Sequence, residues 1–77
     1  MGSVEEFIPL DADRAGEVYA ALGRRKEVIT ELWETSELTD QEFTEELFDI
    51  GVLMGKLSVG RVTQGEYESA LEISGLE

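Results

Sequence analysis

Two four-residue stretches, 24 residues apart, dictate where this 77-residue chain begins its helices. Thr39-Asp40-Gln41-Glu42 and Thr63-Gln64-Gly65-Glu66 each place a threonine three residues before a glutamate. In such a capping box the threonine hydroxyl accepts the third helical amide, and the glutamate reaches back to the threonine amide. Leu38 with Phe43, and Val62 with Tyr67, supply the apolar staple that usually accompanies the box. Ser36 and Gly60, each three residues before a cap, sit where the preceding helix must stop. The chain is thereby cut into three predicted helices, over about 11–34, 40–58 and 64–74. Short turns at 36–39 and 59–63 reverse its direction.

Apolar spacing agrees with this division. Val18, Tyr19, Leu22, Ile29, Leu32 and Trp33 recur at helical intervals along the first segment. Before it, residues 1–10 read as an irregular arm, because Pro9 pushes Ile8 out of helical geometry. Asp11 is the expected N-cap, with Asp13 as the alternative. Gly23 and Arg24-Arg25-Lys26 interrupt the stripe, so helix one either bends there or lets its basic residues snorkel beside the core. The basic triplet is expected to counter the neighbouring Glu27 and Glu31. In helix two, Phe43, Leu47, Ile50, Met54 and Leu57 form a core stripe. Phe48, Val52 and Leu53 add a second apolar surface, and Gly51 and Gly55 leave room for a close backbone approach. A helix apolar on so many sides is either the central element or half of an interface. The predicted fold is all-α: a three-helix bundle in one domain over 11–75. Helix two would pack between the other two or join them with a dimer mate.

Charge narrows the function. Eighteen Asp plus Glu against six Lys plus Arg give a net charge of −12. Direct binding to nucleic acid or an anionic membrane needs a basic patch that this composition does not offer. With no Cys and no His there is no disulfide, thiol or imidazole nucleophile, or ordinary zinc site. Asp11-x-Asp13-x-x-Gly16 begins like a calcium loop, but the later ligand places fall on Ala15, Tyr19 and Leu22, which offer no suitable side-chain oxygen. Paired carboxylates such as Glu45 and Glu46 would need a desolvating cleft to act as acid and base, and a chain this short has little room for one. The expectation is a non-enzymatic protein with no cofactor. No apolar run approaches transmembrane length and no signal-peptide pattern opens the chain, so the expected location is the cytoplasm.

The acids are also patterned. Glu42, Glu45, Glu46 and Asp49 fall on one line of helix two, and Glu27, Glu31 and Glu34 on a line of helix one. Between Glu34 and Asp49 there are seven acids and no base. Like charges one turn apart cost a few tenths of a kcal/mol per pair. Such a stripe is either a solvated face or a surface complementary to a basic protein, in the limit one that imitates DNA phosphates.

Residues 28–47 align without gaps on residues 52–71, with Val28/Val52, Thr39/Thr63, Glu42/Glu66 and Leu47/Leu71 identical. Capping chemistry shared by two helix–turn–helix units accounts for much of that match, with duplication as the alternative. Leu32-Trp33-Glu34-Thr35-Ser36-Glu37-Leu38-Thr39-Asp40-Gln41-Glu42-Phe43 resembles the short C-terminal (SHOCT) helical motif, roughly Leu-Leu-x-x-Gly-x-Ile-Thr-x-x-Glu-Phe. Residues 57–67 resemble it too, and keep the glycine that Ser36 replaces in the first copy. The resemblance implies a small helical interaction module with no catalytic residues. The second copy is also similar to the closing hairpin of antitoxins that neutralise AMP-transferring (Fic) toxins. Their inhibitory motif, Ser/Thr-x-x-x-Glu-Gly/Asn, is matched at Thr30 and Glu34 and departs at Thr35.

The function expected from these features is protein binding. The leading reading is a small regulator or inhibitor, bacterial or phage in type, that covers a partner's basic, nucleic-acid-binding surface with Glu42, Glu45, Glu46 and Asp49, joined by Glu31 and Glu34. The alternatives are an antitoxin-like neutraliser, or an oligomerisation module, including a homodimer, that works through Phe48, Val52, Leu53 and Trp33. In every case Trp33 has a second role open to it, closing the core at the end of helix one.

Overall fold

Local hydrogen bonds set the ends of each element. The computed structural model describes residues 6–76, which form α1 (Ala12–Glu34), α2 (Asp40–Val59) and α3 (Gln64–Ser74). Both capping boxes are complete. The Glu42 amide donates to Thr39 Oγ1 at 3.1 Å and the Thr39 amide to Glu42 Oε1 at 3.0 Å. The Glu66 amide donates to Thr63 Oγ1 at 3.3 Å and the Thr63 amide to Glu66 Oε1 at 3.0 Å. Asp11 occupies the cap position of α1, but its side chain makes no capping bond; only its carbonyl contributes, accepting from the Ala15 amide at 2.8 Å.

All three helices stop in the same way. The Glu37, Arg61 and Leu76 amides return to the Leu32, Lys56 and Leu71 carbonyls at 2.8, 3.0 and 3.1 Å. These are the long bonds of Schellman turns, which need a left-handed residue one place earlier. Gly60 and Gly75 supply it at φ 70° and 77°, and Ser36 supplies it at φ 65°. For a residue with a Cβ that conformation costs about 1–2 kcal/mol.

The core is built on α1. Val18, Leu22 and Ile29 are completely buried, as are Ile50 from α2 and Ala70 from α3, with Leu53, Leu57 and Val62 nearly so. α1 packs extensively against α2 and also against α3, while α2 and α3 touch each other least. The central element is therefore helix one, not helix two. α1 is also the longest of the three, its 23 residues spanning about 35 Å at 1.5 Å per residue, against 20 residues in α2. The molecule measures 42 × 33 × 20 Å, its thinnest dimension being about two helix diameters.

α1 runs unbroken through Gly23, where a Cβ would make an ordinary van der Waals contact with the Met54 methyl at 3.9 Å, so packing does not require glycine there. Arg25 bonds Glu46 of α2 at 3.3 Å, and does not counter its helix neighbours Glu27 and Glu31. Arg14 Nε donates to the Tyr67 hydroxyl at 2.9 Å and ties α1 to α3. Of the predicted arm, residues 1–5 lie outside the described residues. Residues 6–10 lie against the α2–α3 turn: Phe7 forms an isolated antiparallel bridge with Thr63, and the Ile8 amide donates to the Val62 carbonyl at 2.9 Å. No helix among the described residues is long and apolar enough to cross a membrane.

The two interior turns make opposite demands on one substitution. Ser36→Gly should raise stability by about 0.5–1 kcal/mol, because glycine removes the left-handed cost but loses some chain entropy. Gly60→Ala should lower it by about 1 kcal/mol for the same reason. Urea unfolding of the three proteins checks both signs.

Candidate protein-binding surface

The acidic line of helix two is divided by its own structural duties. Glu42 folds its carboxylate back onto the Thr39 backbone amide and hydroxyl side, and those hydrogen bonds hold it below the usual glutamate range. Glu46 is half-buried and bonded to Arg25. Glu45 accepts from the Gln41 side-chain amide at 3.3 Å but has no cationic partner. Asp49, Glu31 and Glu34 are exposed and make no side-chain hydrogen bond or ion pair among the described residues. Across the molecule only Glu17, Glu46 and Glu66 of the described acids stand in ion pairs.

The remaining four are divided between α1 and α2. Glu31 lines a shallow groove between α1 and α2 with Lys26, Thr30 and Met54. Asp49 lines a different groove, between α2 and α3.

The apolar set divides too. Trp33 stacks on Phe43 with ring centroids 4.7 Å apart and planes 11° from parallel, and its indole N–H donates to Asp40 Oδ1 at 2.7 Å. It closes the first hairpin, an offset aromatic contact of about 1 kcal/mol. Leu53 is buried in the core. Phe48 and Val52 are 69% and 38% exposed with no aromatic partner, and Trp33, though stacked on Phe43, is 40% exposed. Phe48 and Val52 each stand two residues from the buried Ile50, about 160° around the helix. Gly55 and Val59 continue their line at intervals of three and four, and Val59 is 66% exposed. A Cβ at Gly51 or Gly55 would meet nothing within 4 Å, so no backbone of this chain uses the room they leave.

Beside this face lies an open groove of about 500 Å³, where α3 presents Gly65, Ser69 and Ile73 opposite Phe48, Val52 and Leu53. Those α3 residues recur every four places and were open to detection by that spacing. What the sequence did not disclose is that α2 and α3 diverge, since that follows from both resting on α1. Glu66 closes the groove's inner side. It pairs with Lys56, whose ammonium is the main cause of a carboxyl held below the usual glutamate range, with the Thr63 amide second.

Fold and surface together define a small three-helix module with a strongly acidic exterior and open grooves along its helices, one between α2 and α3 and another where Leu10, Tyr19 and Val59 meet. Comparisons with family models, curated proteins and solved structures return no match for the chain.

Because the Glu66 carboxyl is lowered in the folded state, its contribution is present above the ordinary glutamate range and is lost as pH falls through the lowered value. Glu66→Gln keeps a capping side chain but removes the charge. Its stability deficit should be largest near neutral pH and should close in the acid range. Urea midpoints of both proteins across pH measure this; a deficit that grows on acidification would contradict the assignment.

Proposed function

We propose that this chain is a non-catalytic binding module that regulates a partner protein by covering the partner's basic surface, of the kind used to hold nucleic acid. The observation that carries this reading is the lack of a cationic partner for most of the acids. Thirteen of the sixteen described carboxylates have no ion pair, and ten of the thirteen stand on helices joined by capped turns. Unpaired like charges on one helix face cost stability and return none inside the fold. Opposite a basic partner the same field speeds encounter and sets the register of docking. Glu31, Glu34, Glu45 and Asp49 are the acids free for contact; Glu42 and Glu46 act mainly within the fold.

The exposed Phe48 and Val52 favour a second reading, assembly through an apolar face.

Affinity capture on the immobilised chain, with mass spectrometry of what is retained, tests the first reading. The retained protein should carry a basic nucleic-acid-binding surface, release as salt rises, and be displaced by duplex DNA. Replacing Glu31, Glu34, Glu45 and Asp49 together by lysine should weaken its binding at least about tenfold. Binding indifferent to salt, to DNA and to the four substitutions would contradict the reading.

A further inference from the structure

The α2–α3 groove has the shape and the borders of a helix receptor. Its sides are two helices, and its far wall is low because Gly65 and Ser69 carry little or no side chain. Phe48 stands at its rim with most of its ring in solvent, an anchor without an intramolecular pocket. A third helix laid along such a groove would complete a four-helix arrangement, burying the Phe48–Val52 line that the chain leaves open.

Charge decides which helix. On α2, Asp49 lines the groove with Val52 and Leu53, and Glu45 stands one turn before it; both are exposed. On the α3 bank, Glu68 and Glu72 share the outer side of the helix next to Ser69 and Ile73, and both are exposed. None of the four has a cationic partner; Glu45 and Glu68 accept only from the neutral amides of Gln41 and Gln64. A groove with Asp49 set among the apolar residues of its α2 wall and Glu68 and Glu72 along its α3 border is complementary to a helix with an apolar stripe and basic residues beside it. A second copy fits poorly, since symmetric pairing through this face would set acidic banks against each other in a chain already at −12.

We propose that the groove between α2 and α3 takes a basic amphipathic helix of the partner protein, with an apolar side chain packed on Phe48 and Val52 and Lys or Arg residues against Glu45, Asp49, Glu68 and Glu72. This deepens the reading of the chain as an acidic binding module and depends on it for the sign of the partner's charge.

The probe is a synthetic peptide of about 18 residues with leucine on one helical face and lysine elsewhere, titrated into the isotope-labelled full chain and followed by amide chemical shifts. Its controls are a scrambled peptide of the same composition and an oligolysine of equal charge. The amphipathic peptide should shift Phe48, Val52, Ser69 and Ile73 and bind at least about tenfold tighter than either control. Phe48→Ser should remove that advantage while helix content stays unchanged, since Phe48 lies outside the core. Glu68→Gln with Glu72→Gln should weaken the peptide from the opposite bank without touching Phe48. Equal binding of all three peptides would overturn the groove and leave the acidic module standing. Failure of every cationic peptide to bind would overturn both. Self-association abolished by Phe48→Ser would show that a second copy, not a basic helix, occupies the groove.

Discussion

The rest of the molecule depends on one stripe of α1. Val18, Leu22 and Ile29 have no exposed surface, and each such side chain contributes about 1.5–3 kcal/mol on burial. In a chain of 77 residues the whole margin of stability is a few kcal/mol, so losing one of these contacts rivals the total. α2 and α3 each pack more against α1 than against each other, where the Lys56–Glu66 ion pair joins them. Their separation leaves the groove, and it leaves Phe48 and Val52 pointing away from the core. The surface with most binding potential is thus a consequence of how the core is shared.

The turns make that sharing possible. Each interior turn couples a Schellman ending to a capping box within a few residues, so the reversal is specified locally before any long-range contact forms. This also clarifies the 24-residue repeat. Ser36 and Gly60 are both left-handed, Ile29 and Leu53 are both buried, and Val28 and Val52 are both exposed.

That locality explains what was legible in the sequence. The helix limits of 11–34, 40–58 and 64–74 differ from Ala12–Glu34, Asp40–Val59 and Gln64–Ser74 by at most one residue, because caps and staples lie close in sequence. The choice of central helix was not legible. Helix two has the richer apolar pattern, but α1 carries most of the packing, and only the packed arrangement shows this. The acidic stripe was half legible for a related reason. Glu42 belonged to a capping box visible in the sequence, so its carboxylate was already committed to Thr39. The partner of Glu46 is Arg25, 21 residues away, and no local pattern announces it. Leu53 went to the core because it lies one turn from Ile50 and Leu57, whereas Phe48 and Val52 lie opposite them.

Charge and apolar surface, which read as competing routes to a partner, meet in the structure on the α2–α3 face. Both routes presuppose that α1 carries most of the packing of the bundle and leaves that face uncovered. Residue-resolved amide hydrogen exchange under native conditions measures this most directly, because it ranks the helices by the free energy needed to open them. The slowest amides should lie in α1 between Val18 and Ile29 and in α2 between Ile50 and Leu57, with α3 opening at lower free energy. An α1 that exchanges before α2 and α3 would contradict the arrangement on which the groove depends.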